Sequence, residues 1–180
     1  MPRRPLKPCN HAGCRALTSV PAVDTTKATT LQTAFTGCAS LVTFPTLNTP
    51  ANLSLNNTFQ GCTSMVTAPA MDTSKVTDMT SVFSGCTSLT SVPLYDTSKV
   101  TTASQMFQNC SSLRTIPLLD TSKVTVMSAM FLGCSALTAI PAFDLTACVT
   151  TTQMFWGTNV TSITALTNTS GIVTATQMFG

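Results

Sequence analysis

Residues 71–93 read MDTSKVTDMTSVFSGCTSLTSVP, and the chain repeats this stretch with variations. Residues 95–117 give YDTSKVTTASQMFQNCSSLRTIP, and residues 119–141 give LDTSKVTVMSAMFLGCSALTAIP. Landmark residues carry the same step of 24 outward in both directions. Cysteine stands at Cys14, Cys38, Cys62, Cys86, Cys110 and Cys134. Phenylalanine stands at Phe35, Phe59, Phe83, Phe107, Phe131, Phe155 and Phe179. Proline stands at Pro21, Pro45, Pro69, Pro93, Pro117 and Pro141. Three residue types of different chemistry share one period, and a fixed period of this length marks a solenoid.

The composition narrows what such a solenoid can do. Charged residues are only 8% of the chain, against about 25% in an average protein. Ser and Thr fill the gap, and Glu is absent. The net charge of +3 comes largely from Arg3, Arg4, Lys7 and Arg15. The repeats lack the broad basic face that phosphate backbones require, so no nucleic acid partner is expected. No run of 18 apolar residues exists that could form a membrane span. Met1 to Asn10 carries positive charge without an apolar core, so it is not read as a secretory signal.

Within one coil, Leu89, Val92 and Leu94 form L-x-x-V-x-L, a strand signature that must stack beside its copies to bury its apolar side. Pro93 cannot donate to a ladder, which predicts a very short strand, Leu89 to Leu94 at most. The D-T-S-K runs at Asp72, Asp96 and Asp120 predict corners in which the carboxylate bonds nearby backbone. Val76-Thr77, Val100-Thr101 and Val124-Thr125 suit a second short strand. Met79, Val82, Phe83 and Cys86 follow at i, i+3, i+4 and i+7, the spacing of a helix face, so a short helical turn is expected. Gly85 and its equivalents, with Asn109 in one coil, then suit a positive φ. The fold class predicted is an α/β repeat: a right-handed solenoid of 24-residue coils, each with short parallel strands and a short helical turn.

Residues 1–13 form a basic, Pro-rich arm, and residues 14–180 form the solenoid, about seven coils with the last incomplete. The second coil, 45–58, carries Asn48 for Asp and an added Pro50, which predicts an irregular corner. In the last units Thr158 replaces Cys and Ala165 stands at the proline position. One residue is lost near Asn159 and regained near Gly171. The repeated Cys and Phe columns read as a buried ladder of free thiols and rings. A disulfide is not expected, because parallel side chains in a ladder do not face one another. Cys148 takes the place of the valine at Val76, Val100 and Val124. Cys9, His11 and Cys14 form C-x-H-x-x-C, three ligands where a zinc site takes four. The reading is a plain tail, with zinc as the alternative, and no metal or cofactor is assigned.

The pattern D-T-S-K-V-T-x-M followed by F-x-G-C-x-x-L-x-x-V-P resembles the BspA-like leucine-rich repeats, a family of bacterial surface and phage tail-associated proteins. The more specific half is nearly intact at 72–86 and 120–134, and the resemblance covers about residues 14–180. It implies a non-catalytic scaffold that binds a protein or glycan through its surface, as in adhesion or receptor binding, at a cell surface or on a virion. The alternative is a structural or assembly element of a phage tail or fibre, with coils joined end to end in self-association. No enzyme is read: His11 is the only histidine, and the Asp residues fall in a repeated column. The binding residues expected on the strand side are Thr90, Ser91, Tyr95, Arg114 and Thr115, with Tyr and Arg the types favoured at interfaces.

Overall fold

The computed structural model describes residues 13–21, 25–26, 28–47, 54–161, 166–172 and 178–179. The N-terminal arm up to residue 12, the substituted corner at Asn48 and Pro50, and Ala165 lie outside them. The described chain stacks in parallel rungs. β1 (Phe143–Asp144) pairs in parallel with β2 (Leu166–Thr167), Phe143 opposite Leu166. Elsewhere the rungs meet through single-residue parallel bridges. One ladder runs Ser54, Asp78, Thr102, Val126, Thr150, with a partner at every step of 24. The β-branched pairs do not form the expected second short strand, and the bridges fall on the residue after each pair. Thr101 donates its amide (2.8 Å) and its Oγ1 (3.1 Å) to the Thr77 carbonyl, and Thr125 repeats this on Thr101. The Thr101 and Thr125 hydroxyls thus double the inter-rung bond of their own amides, which is one use for so Thr-rich a sequence.

The Phe side holds the core. The rings of Phe35, Phe59, Phe83, Phe107, Phe131, Phe155 and Phe179 form one stack, with centroids 5.5 to 5.8 Å apart and planes within 12°. Met79, Val82, Phe83 and Cys86 are all buried, as their spacing predicted. The backbone that buries them is not helical, which corrects the expected helical turn. The amides of Met79, Ser81, Phe83 and Gly85 donate to Thr102, Ser104, Met106 and Gln108 of the next coil. Those of Val82, Ser84 and Cys86 turn back three residues. The result is a run of tight turns with alternate amides aimed along the stack. Ser81 (φ 53) and Gly85 (φ 75) lie in the left-handed region, which no right-handed helix contains. Asn109 holds the Gly85 position in its coil at φ 58, a conformation Asn tolerates best after Gly. The Ser81 column is filled instead by Thr33, Asn57, Gln105, Ala129 and Gln153, all with positive φ. A mixed column gives a sequence reader no warning of that geometry.

The proline side corrects a second expectation. Leu89 and Val92 are buried, but Leu94 is 71% exposed and Leu118, its copy, 64%. The third inward residue is the next one: Tyr95, Leu119 and Phe143 are buried at that position. Inward residues therefore recur at steps of three, the repeat of a polyproline II chain, not at the step of two of a pleated strand. Pro93, with its fixed φ, favours this path. As predicted from the proline, the strand is short: the only pairing between Leu89 and Leu94 is the bridge of Ser91 to Thr67.

The register slip is also visible. Phe143 pairs with Leu166, one residue short of the 24-residue step. Asn159 sits at the slip, donating its amide to Leu137 and its Nδ2 to the Ser135 carbonyl. A 3-10 turn over Thr169–Gly171 follows Asn168, itself at φ 58. Phe179 then lies back on Phe155 at 5.5 Å.

Candidate interaction surface

The surface is set by which columns the turns leave outside. On the strand side, Thr18, Val42, Val66, Thr90, Arg114 and Thr138 occupy one column, all exposed except the half-buried Thr90. Ser19, Thr43, Thr67, Ser91, Thr115 and Ala139 form the next, where only Ser91 is half-buried. The stack is stitched beneath them, with Arg114 donating its amide to Thr90 and Thr90 donating to Val66. Arg114 and Thr115 are therefore presented on a fixed backbone.

Tyr95 is corrected. It is 3% exposed, stacks on Phe83 at 6.2 Å, and donates its hydroxyl to the Pro69 carbonyl at 2.7 Å. Burial pushes its phenol pKa up. The apolar floor takes the ring, and the hydroxyl satisfies a carbonyl of the preceding rung, so Tyr95 holds two coils together and faces no partner. Val42, Val66, Leu94 and Leu118 are exposed apolar residues that the sequence reading did not single out as contacts. A sequence signal existed for the valines, since they replace Thr in an otherwise polar column.

The Asp corners behave as turn chemistry. Asp120 Oδ1 accepts from both the amide and the hydroxyl of Ser122, as Asp96 does from Ser98 and Asp72 from Ser74. The Ser122 hydroxyl, then its amide, holds the Asp120 carboxyl below the usual range. Asp144 accepts from Thr146 and from Asn168 Nδ2, which lower its pKa likewise. Between Leu118 and Asp144 the corner opens into a depression of about 370 Å³, lined also by Asp120, Ser122, Ala142 and Thr167.

The thiols are structural in every described coil. Cys62, Cys86, Cys110 and Cys134 are fully buried, and each Sγ donates to the Phe carbonyl of the preceding coil at 3.0 to 3.2 Å. Burial, then the neighbouring Cys38, pushes the Cys62 thiol up to about 12, and burial alone raises Cys134 to about 12. Such thiols carry almost no thiolate, the reactive form, at neutral pH. Cys14, at the start of the column, is half-buried, and Cys148 is buried. Cys9 and His11 lie outside the described residues. Among the described residues no group of three or more His, Cys, Asp or Glu side chains could hold a metal ion. No described helix is long and apolar enough to cross a membrane.

Comparison with known proteins agrees with the stacking. A solved structure, a leucine-rich repeat protein from Eubacterium ventriosum, is similar with a TM-score of 0.50 at 22% identity. The match covers 72% of this chain and 34% of that one, so the chain spans about a third of its length. The curated proteins contain no match. The model of a family described as "Mycoplasma protein of unknown function, DUF285" matches residues 12–114 and again 52–167. The chain belongs to that family, and its repeats are BspA-like leucine-rich repeats.

Proposed function

We propose that this chain is a non-catalytic interaction scaffold that binds a protein or glycan through the exposed strand-side columns. The observation that carries this is a contrast between columns. The inward Phe and Cys columns repeat one residue type, while the exposed column through Thr90 and Arg114 changes from Thr to Val to Arg along the stack. A packing constraint explains the first and leaves the second free to be shaped by a partner. Arg114 and Thr115 are exposed polar members of these columns, Thr90 and Ser91 half-buried ones. The buried thiols and the Asp residues tied into turns support a role without catalysis.

The test is binding of the purified chain to immobilised panels of glycans and extracellular-matrix proteins. A Val66→Glu/Arg114→Glu variant with unchanged circular dichroism should lose binding about tenfold or more, as expected when interface anchors are reversed in charge. Equal binding by the variant places the interface elsewhere. Absence of any ligand in both panels removes the support for adhesion.

A further inference from the structure

We propose that the corner depression between Leu118 and Asp144 is a docking groove for an extended polypeptide segment that sets a basic side chain beside an apolar one. The inference rests on the scaffold reading and adds a second face and a partner chemistry to it. Leu94 and Leu118 are the two most exposed large apolar side chains of the described chain, at 71% and 64%. They stand at the same repeat position on successive rungs, with the small Ala70 before them and Ala142 after. Nothing in the coil needs leucine there, since the inward place is filled by Tyr95 and Leu119. Covering exposed aliphatic surface is favourable in proportion to its area, so two adjacent leucines make an apolar ridge for a partner.

The groove beside that ridge is not neutral. Asp120 and Asp144 both line it, and the bonds that hold them in their turns fall on Oδ1. The second oxygen of each carboxylate remains to accept from a partner. In the coils before, the corner motif ends in Lys75, Lys99 and Lys123; after Asp144 the same place is Ala147. The groove thus has two carboxylates where the repeat supplies one lysine. An ammonium or guanidinium complements it, and phosphate or carboxylate ligands are repelled. The lining offers Leu and Ala and no aromatic ring, which favours an aliphatic peptide side chain over a sugar, whose faces stack best on aromatics.

The test uses the whole chain labelled at leucine methyls and two synthetic peptides, acetyl-Leu-Lys-Ala-Leu-Lys-Ala-amide and the same peptide with Glu for Lys. The expected result is saturable shifts of the Leu94 and Leu118 methyls with the Lys peptide and none with the Glu peptide. An Asp120→Asn/Asp144→Asn variant should weaken the Lys peptide about three- to fivefold, the scale of exposed ion pairs. Those carboxylates are solvent-facing, and unchanged shifts of the buried Leu89 and Leu113 methyls confirm that the variant keeps its fold. Equal binding of both peptides, or an unaffected Asn variant, overturns the charge assignment. Shifts confined to the strand-side valines, followed with valine labelling, reject the groove while leaving the scaffold reading intact. Leucine shifts that follow protein concentration without peptide would make the occupant a second copy and overturn the proposal. No saturable shift with either peptide also rejects the groove, and the panel measurement then stands as the separate test of the scaffold.

Discussion

The Phe side and the proline side of each coil solve the stacking problem differently. On the Phe side, every second amide from Met79 to Gly85 is donated to the next rung, and the same ring type recurs in register. On the proline side no amide is available at Pro93, and neighbouring columns change residue along the stack. The first side therefore determines how one coil fits the next. The second keeps Leu89, Val92 and Tyr95 inside, and leaves Leu94 free to be Leu, Ala or Thr in its copies. Evolvable surface arises where the ladder is weakest, because there the side chain is not also a rung contact.

The sharpest way to break this contrast is a matched pair of truncations. Phe107→Ala removes a fully buried ring that stacks on two neighbours, and should cost about 3–5 kcal/mol in denaturant unfolding. Leu118→Ala removes a side chain of similar size that is mostly in water, and should stay within about 0.5 kcal/mol. Similar losses for the two would show that the proline side is packed in solution and that Leu118 is not surface. Because each coil touches mainly its neighbours, the Phe107 variant should also broaden the transition as the two halves of the stack uncouple.

Tyr95→Phe is a finer probe of the same boundary. The ring stays and keeps its stack on Phe83, while the 2.7 Å bond to the Pro69 carbonyl is lost. The expected destabilisation is about 1–2 kcal/mol, the cost of leaving a buried acceptor unpaired. A neutral result would mean that water reaches that carbonyl and that Tyr95 is closer to the surface than its burial indicates.

Much of this was legible from residues alone. The step of 24, the Phe and Cys columns, the Asp corners and the short proline-limited strand each follow from one residue type meeting one geometric need. Two of the misreadings share a cause. Helical spacing and a run of turns can bury the same positions, so Met79, Val82, Phe83 and Cys86 were placed inside correctly on the wrong backbone. Positive φ at Thr33, Gln105 and Ala129 carries no residue signature, so the turns that replace the helix were invisible. Likewise L-x-x-V-x-L and L-x-x-V-x-x-Y differ by one position in a chain whose proline decides the phase. Choosing the first exposed Tyr95 on paper and hid Leu94, and with it the corner groove.

The smallest effect concerns the Asp corners, which belong to neither side and join them. Asp72, Asp96, Asp120 and Asp144 all have carboxyls lowered by hydrogen bonds, first from a Ser or Thr hydroxyl. A folded pKa below the unfolded value, about 3.9 for Asp, means that folding favours the ionised form. The stability this contributes is fully present above the unfolded pKa and is lost as pH falls through the lowered folded values. The denaturation midpoint should therefore be flat from neutral pH to about 5 and decline below about 4. A Ser98→Ala/Ser122→Ala variant loses the hydroxyl donors but keeps the amide ones, so its decline should be smaller and finish at a higher pH, nearer the unfolded pKa. These groups are solvent-exposed, and screening keeps the whole effect small. A wild-type midpoint that does not move between pH 5 and pH 3 would show that the corners only shape the chain, and that the two sides are joined by packing alone.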